Sequence, residues 1–488
     1  MLEAAINYKE KYEELYMEHL NLRHELDQLK RLVFGSRHER FVPSTPQEQL
    51  ALGLEASRSC PQTISPAPVQ TIEYTRTKRT STEKVNTGRM KLPDDLPREE
   101  VLLEPDQDVS GLTMIGKEIT EELERIPGKL FVRQYIRPKY ALPNGEGVVI
   151  ADLPARPIDK GIPGPGLLAQ IVIDKYTDHL PIHRQQQRFE REGIKLPSST
   201  LTDWIAATCA LLDPLYEALK REVLSSDYLQ ADETPIKVLD KSKKGTTHRG
   251  YHWVYHAPLK RMVLFDYREG RGREGPEDCL RRFAFKGWLQ TDGYAVYEQF
   301  NTKEITLLNC MAHGRRKFDE AKDNDSARAS YVLAEMQKVY AIEREARESK
   351  LSYDERLKLR QERSVPILKE LRSWMIENYK AVVPKSPIGQ ALHYCLERWD
   401  KLVVFTTNGK LEIDNNMVEN AIRPVAVGRK NYLFAGSHNG AQRAAMLYSF
   451  LGTCKINDIN PFEWLRSTLD RMPNHPVNKI SELLPRKT

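Results

Sequence analysis

The sequence has few cysteines and no long apolar run, and both absences limit what the protein can be. The six cysteines of this 488-residue chain lie far apart and form no Cys-x-x-Cys pair, so we expect reduced thiols rather than a disulfide framework. No run of about 18 apolar residues occurs, and the N-terminal MLEAAINYKEKYEELY is charged where a signal peptide needs apolar residues. We therefore expect a cytoplasmic protein that makes no membrane contact.

An excess of one charge sign is also nearly absent, since the formal net charge is +6. A balance of this size is common among proteins with no polyanionic partner, so the distribution of charge is more informative. Basic residues collect at residues 37–40, 76–79 and 423–430. Such patches can follow a phosphate backbone, although each one alone is more often a solvated surface. The length predicts about three domains.

The first 160 residues divide into three parts by pattern. An apolar heptad stripe predicts a short coiled-coil helix over residues 1–34, or a lone amphipathic helix that packs on its own domain. Residues 35–90 are rich in Ser, Thr, Pro and Gln, which predicts a flexible linker. Short alternating segments separated by Pro-Gly and Asn-Gly turns predict a small β module over residues 91–160.

Helical spacing follows, and it predicts three helices over residues 161–224. Gly193 should end the second helix, and Ser199 or Thr200 should cap the third, as in a helix-turn-helix. Three arginines of the second helix are then candidates for DNA contact, although helical hairpins that only pack together are commoner. These arginines are Arg184, Arg188 and Arg191.

The pattern becomes strand-like after residue 225, which predicts an α/β domain over residues 225–454. Three β-rich segments in succession predict a meander, and two further strands follow a short helix. Residues from about 315 to 400 are densely charged at helical spacing, which predicts a helical insertion in this domain. Residues 455–488 form a C-terminal segment.

Three carboxylates in this domain point to metal-dependent chemistry. Asp232 lies between apolar neighbours in LQADETPIKVL, Asp292 ends the strand-like GWLQTD, and Glu419 lies on a predicted helix. A buried aspartate without a partner is costly, whereas two Mg²⁺ ions held by carboxylates can serve phosphoryl transfer. Carboxylates within about 4 Å repel by roughly 4 kcal/mol per pair at a dielectric near 20, so a clustered triad implies a metal.

Several strings resemble the large transposase of the bacterial insertion sequence 66 family: LQADETPIKVLD, GWLQTDGYAVYEQF, CMAHGRRKF and IDNNMVENAIRPVAVGRKNYLFAGS. The resemblance extends from LKRLVFGSRHERF to the C-terminus. It implies a ribonuclease-H-like mixed sheet in which Asp232, Asp292 and Glu419 form the acidic DDE triad and bind two Mg²⁺ or Mn²⁺ ions. It also implies a nucleoid-associated transposase that binds inverted DNA ends, cuts them and joins them to target DNA.

The resemblance implies partners as well as chemistry. They are double-stranded DNA, a second copy of the chain in a homodimer or higher oligomer, and small companion proteins of the same element. Two alternatives remain open from the sequence: a structure-selective nuclease that never rejoins DNA, and a catalytically silent DNA-binding regulator with the same fold.

Other acids compete for the places in the triad. They are Asp227, Glu233, Asp240 and Asp414, of which Glu233 is the most serious because it adjoins Asp232. Since adjacent side chains of a strand point to opposite faces, we expect only one of these two neighbours to face the site, and we choose Asp232.

A Cys-x-x-His pair, Cys310 and His313, lacks two further zinc ligands at the usual spacing. We favour His313 as a neighbour of the active site that contacts DNA or a carboxylate, and a buried, hydrogen-bonded histidine is the alternative. Family members often carry cysteine pairs where this sequence has PDQDVSGLTMIG and KYALPNGEG, so we predict no structural zinc. Asn415 and Asn416 could position the helix of Glu419 or a metal-bound water, or simply cap that helix. The residues expected to contact DNA are Arg184, Arg188, Arg191, His313, Arg315, Arg316, Arg423, Arg429 and Lys430.

Overall fold

We describe the protein from a computed structural model, which describes residues 128, 130, 139–141, 148–150, 154–159, 161–239 and 246–487. The predicted coiled coil over residues 1–34 and the predicted linker over residues 35–90 lie outside these residues. In the predicted β module, strands β1 (Lys139–Ala141) and β2 (Val148–Ile150) pair antiparallel. The connection between them contains the Asn-Gly dipeptide that predicted a turn.

Five further strands form one mixed sheet: β3 (Tyr228–Leu239), β4 (Thr247–Ala257), β5 (Met262–Arg268), β6 (Gly287–Thr291) and β7 (Ile305–Asn309). The strand order is β5–β4–β3–β6–β7. β3, β4 and β5 pair antiparallel, so the predicted meander is confirmed. β6 is parallel to β3, and β7 is parallel to β6. The protein therefore has the predicted mixed α/β fold.

Thirteen α-helices lie within the described residues: α1 (Pro165–Tyr176), α2 (Ile182–Arg191), α3 (Ser198–Leu224), α4 (Glu274–Arg282), α5 (Met311–Glu320), α6 (Ser326–Glu348), α7 (Tyr353–Leu359), α8 (Val365–Tyr379), α9 (Pro387–Glu397), α10 (Trp399–Leu402), α11 (Asn416–Tyr432), α12 (His438–Ile456) and α13 (Pro461–Arg471). Helices α5 to α10 occupy residues 311–402, so the helical character predicted for the charged segment is confirmed. None of the helices in the described ranges combines the length and apolarity that crossing a bilayer requires. Short 3₁₀- or π-helical segments are Pro258–Lys260, Ala295–Phe300, Arg360–Ser364, Val404–Thr407, Met472–Asn474 and Val477–Leu483.

The three helices predicted for residues 161–224 are present as α1, α2 and α3, but the predicted cap of α3 is wrong. The N-cap residue is Pro197, and Ser199 and Thr200 already lie inside the first turn. Pro197 adopts extended backbone angles and its carbonyl accepts the Leu201 amide at 3.2 Å, so the helix starts before a hydroxyl can cap it. Gly193 follows the end of α2 with φ +85°, as predicted.

Hydrophobic residues on the two faces of the sheet belong to two cores. One core joins the sheet to α1, α3 and α12, and it includes Leu229 and Leu307. The other joins it to the helices of residues 311–402, and it includes Tyr228 and Leu308. Since adjacent residues of a strand point to opposite faces, the two cores cover opposite sides of the sheet. Helices α1 to α3 therefore share the core of the sheet.

A buried ion-pair network fixes the chain segment that precedes α11. Arg360 is 0% exposed and donates to both carboxylate oxygens of Glu343, at 2.7 and 2.8 Å. Its remaining donors bind backbone carbonyls at 2.7 to 2.8 Å, so the guanidinium is fully hydrogen-bonded. These carbonyls belong to Phe405, Asn408 and Leu411.

Candidate active site

The sheet brings two aspartates to the same end of the parallel pairing between β3 and β6. The last paired residues of β3 and β6 are Gln230 and Gln290. Asp232 and Asp292 each follow two residues later, Asp232 within β3 and Asp292 directly after the last residue of β6. The two aspartates therefore lie just beyond the same end of the parallel pairing. The predicted locations, within one strand and at the end of another, are both present.

The carboxylate of Asp232 lies in a buried and strongly negative environment. Its Oδ1 accepts the amide N–H of Glu233 at 2.7 Å. Burial, together with the neighbouring carboxylates of Glu233, Asp292 and Glu419, raises its pKa to about 8. Two of the predicted acids, Asp292 and Glu419, therefore act electrostatically on the third.

Glu233 belongs to the same acidic group but has its own partner. Its Oε1 accepts two bonds from the Arg271 guanidinium, at 2.9 and 2.6 Å, and its Oε2 accepts the Tyr297 hydroxyl at 3.4 Å. Burial raises the pKa of Glu233, Asp292 also raises it, and the bonds from Arg271 lower it. Asp232 and Glu233 thus both lie near Asp292. Glu233 binds an arginine, whereas Asp232 accepts a backbone amide. These hydrogen-bond partners distinguish the two acids more clearly than strand alternation does.

A fixed turn holds Asp292 at the end of β6. Its Oδ1 accepts the Tyr294 amide at 2.8 Å, and its backbone carbonyl accepts the Tyr394 hydroxyl at 2.9 Å. Gly293 has φ +90° in this turn, which favours glycine. The Arg271 guanidinium, which binds Glu233, also lies 4.2 Å from the centre of the Tyr294 ring. One arginine therefore contacts both Glu233 and the turn that holds Asp292.

Glu419 lies in the first turn of α11, where the positive end of the helix dipole favours a carboxylate. His313, on α5, places its Nε2 3.9 Å from Oε1 of Glu419. The side chain of Glu419 is 32% exposed, so a ligand arriving from solvent can reach it. Among the residues that the structure describes, no three His, Cys, Asp or Glu side chains are already close enough together to hold a metal ion.

Residues 160–443, more than half of the chain, match the family described as Transposase IS66 family. The chain belongs to this family. Residues 449–485 also match the IS66 C-terminal element, and residues 21–101 match the family described as Transposase C of IS166 homeodomain. The resemblance drawn from the sequence motifs is thereby confirmed, and a transposase role is supported.

Two relatives from Sinorhizobium fredii (strain NBRC 101917 / NGR234) are similar along nearly their whole length. The uncharacterized protein y4hP is 32% identical over 490 residues, which cover 94% of this chain and 87% of the relative. The uncharacterized protein y4jD is also 32% identical over 490 residues, covering 96% of this chain and 94% of the relative. The likeness to both proteins therefore extends over nearly the whole of this chain.

Two buried glutamines connect the acidic strands of this IS66 family member to the helix of Glu419. Gln230 Nε2 donates to the Asp414 carbonyl at 2.9 Å, and Gln290 Nε2 donates to the Glu412 carbonyl at 3.0 Å. Sequence reasoning missed both residues. The signal was present, because the string Leu-Gln-x-Asp occurs twice, at residues 229–232 and 289–292. In each copy the glutamine holds the segment before α11 and the aspartate joins the acidic group.

The remaining competing acids have other partners. Asp227 forms an ion pair with Lys410 at 3.1 Å. Asp414 accepts the Asn416 amide at 3.2 Å, at the start of α11. Asp240 lies outside the described residues.

The loop before α11 also contacts the predicted Cys-x-x-His pair. The Cys310 thiol accepts the Asn415 amide at 3.4 Å, and burial raises its pKa to about 12. Asn415 is the N-cap residue of α11 without a side-chain cap bond, and its buried side-chain amide has no partner among the described residues. Cys310 is therefore a protonated, buried thiol.

The arginines of α2 divide into two kinds. Arg184 and Arg191 are exposed. Arg188 forms an ion pair with the buried Asp174 of α1, which also accepts Gln170 Nε2 at 2.7 Å. The pair holds α2 against α1, so Arg188 has a structural partner that its two neighbours lack in this helix hairpin.

The other basic residues expected to contact DNA lie on α5 and α11. Arg429 is half-buried and donates to the Pro235 carbonyl of β3, which ties α11 to the sheet. The other four side chains are exposed: Arg315, Arg316, Arg423 and Lys430.

Proposed function

We propose that the protein is a DNA transposase that binds the inverted ends of its element, cuts them and joins them to target DNA. The catalytic residues would be Asp232, Asp292 and Glu419. One observation carries this proposal: Asp292 at the end of β6 and Glu419 at the start of α11 both act electrostatically on Asp232 of the neighbouring parallel strand. A meander followed by two parallel strands, in an IS66 family member, supports a ribonuclease-H-like core.

The donor set of the proposed site suits Mg²⁺ or Mn²⁺. All three side chains offer carboxylate oxygens, the ligands that hard cations prefer. The pKa of Asp232 is raised to about 8 because negative charges are packed together in a buried place, and a divalent cation would compensate them. When bound, a pair of such ions activates the attacking oxygen and stabilises the leaving oxygen. No zinc is part of this proposal.

The chain's own residues would orient the acids. Gln230 and Gln290 hold the segment that leads to Glu419, while the Tyr294 amide orients the Asp292 carboxylate. Arg271 neutralises Glu233, which limits the negative charge that the site presents to a phosphate.

DNA binding would depend on the exposed basic side chains of α2, α5 and α11. The logarithm of the binding constant falls linearly with the logarithm of the salt concentration, and each phosphate that such a residue neutralises contributes about 0.9 to that slope. Alanine at Arg184 or Arg191 should therefore lower that slope, whereas alanine at Arg188 should mainly loosen α2. A coiled coil over residues 1–34 would pair two copies so that both ends are held together, and small companion proteins of the element would join them.

The test uses the full chain with labelled duplex DNA taken from the sequence that flanks its reading frame, in Mg²⁺ or Mn²⁺. Cleaved and joined products support the transposase. Cleavage without joining would favour a structure-selective nuclease, and binding without cleavage would favour a silent regulator. Asp227→Asn is a matched control, because this aspartate pairs with Lys410 outside the acidic group and should leave the products unchanged.

A further inference from the structure

Helix α11 ends in a strained turn that exposes two large apolar side chains. Leu433 has φ +49° and ψ −43°, a combination that residues other than glycine rarely adopt. The Phe434 amide donates to the Tyr432 carbonyl, which closes a γ-turn of the rarer, strained form. Leu433 is 63% exposed and Phe434 is 43% exposed. Strain of this kind persists only where surrounding contacts enforce it, and it is common at functional sites.

The surrounding contacts are present on both sides of the turn. The Ala435 amide donates to the Lys237 carbonyl at 2.8 Å, and the Leu239 amide donates to the Ala435 carbonyl at 2.8 Å. The hydroxyl of Tyr432 contacts that of Tyr448 on α12. The turn is therefore anchored to β3 and α12, and the two apolar side chains are presented on a fixed backbone.

The turn continues an exposed stripe of α11 that carries no acidic residue. Glu419 is the single acid in the sequence of α11, and it lies half-buried at the start of the helix. Two exposed basic residues, Lys237 and Arg249, are paired in register on β3 and β4 beside the turn. These two residues place positive charge beside the apolar tip, where it can attract a polyanion. The exposed residues of the stripe follow helical spacing: Asn416, Asn420, Arg423, Val427 and Lys430.

We propose that Leu433 and Phe434 form a wedge that enters duplex DNA and unstacks one base step while the α11 stripe follows the phosphate backbone. Apolar side chains act in this way in many proteins that bend DNA. A protein partner fits less well, because charged residues are depleted at the centre of protein interfaces. This proposal rests on the proposed function, since it takes duplex DNA as the ligand.

The length of α11 fixes where the wedge acts. Glu419 and Tyr432 are 13 residues apart, which corresponds to about 20 Å along the helix. At 3.4 Å per base pair this distance spans about six base pairs. The unstacked step should therefore lie about six base pairs from the phosphodiester at the acidic group.

The experiment places 2-aminopurine, whose fluorescence rises on unstacking, at successive positions of a duplex taken from the flanking DNA. With the full wild-type chain, one position should brighten. Phe434→Ala should abolish the rise and weaken binding by about tenfold or more. Ile376→Ala removes an equally exposed apolar side chain from α8 and should change neither quantity.

Two further variants separate the wedge from a structural role. Leu433→Gly removes an apolar side chain and relieves the backbone strain, so it should raise the melting temperature and still reduce the fluorescence rise. Phe434→Leu keeps an apolar wedge and should retain most of the rise. A rise that survives in both Phe434→Ala and Leu433→Gly would overturn the proposal.

Other outcomes distinguish this proposal from the proposed function. A fluorescence rise without any strand cleavage by the wild type would contradict the transposase but not the wedge. Cleavage without a rise at any position would contradict the wedge alone. A changed oligomeric state of Phe434→Ala in sedimentation, with its fluorescence rise intact, would assign the tip to a protein interface and refute the wedge.

Discussion

Replacing Asp232 by asparagine should stabilise the metal-free protein at neutral and alkaline pH. Burial and the neighbouring carboxylates raise the pKa of this carboxyl from 3.8 to about 8 in the native state. The native state therefore holds the proton more tightly than the unfolded state does. The resulting stability is fully present below pH 4 and is lost as the pH rises through 8.

The magnitude follows from the shift. Each pH unit between the two pKa values lowers the free energy of unfolding by about 1.4 kcal/mol, so roughly 4 kcal/mol is lost between pH 4 and pH 7. Asparagine cannot ionise, and its Oδ1 can still accept the Glu233 amide that Asp232 accepts at 2.7 Å. The variant should escape this loss.

The assay is urea unfolding of both full-length proteins in EDTA, at pH 5 and at pH 8. The stability difference in favour of Asp232→Asn should grow by several kcal/mol at the higher pH, and added Mg²⁺ should stabilise the wild type more than the variant. Asp227→Asn, the matched control with an ion-paired aspartate, should show no such growth. An equal pH dependence of wild type and Asp232→Asn would refute the assignment of a raised pKa to this acidic group.

Two further predictions concern stability and use the same urea assay. Arg360→Met should lower the free energy of unfolding by about 3–5 kcal/mol, because it removes one of the positive charges that pair with the fully buried Glu343. A decrease below about 1 kcal/mol would contradict a stabilising role for this ion pair. Gly287→Ala should cost about 1–3 kcal/mol, because Gly287 has φ +123° and a Cβ would lie 2.1 Å from the Asp227 carbonyl. Gly166→Ala, where a Cβ meets no atom within 4 Å, should be nearly neutral, and equal losses at both glycines would contradict the steric argument.

Local patterns were sufficient to predict most elements of the sheet domain. The meander, the strand that ends before Asp292 and the helix of Glu419 each follow from a hydrophobic period within one segment. The cap of α3 could not be predicted from residue type, because Pro197 starts the helix before either candidate hydroxyl. The end of a helix can shift by one or two residues through local backbone geometry, whereas the presence of the helix depends on many side chains.

Partners within the candidate site could not be read from spacing. Glu233 binds Arg271, which lies 38 positions away, so the pairing depends on how the turn after β5 meets β3. Arg188, one of the residues predicted to contact DNA, pairs with Asp174 of the preceding helix, a partner that its spacing in the sequence does not indicate. The repeated Leu-Gln-x-Asp string was visible in the sequence, but only the register of β3 with β6 explains why the two glutamines act together.

The most direct test of the proposed chemistry is the rate of strand cleavage by Asp292→Ala on flanking-end DNA at saturating Mg²⁺, with end binding measured in parallel. Asp292 follows the end of β6 and acts electrostatically on Asp232, so the account predicts that cleavage falls by more than about a hundredfold. DNA-end binding should remain close to that of the wild type. Cleavage at the wild-type rate would contradict the assignment of the three carboxylates as the catalytic centre.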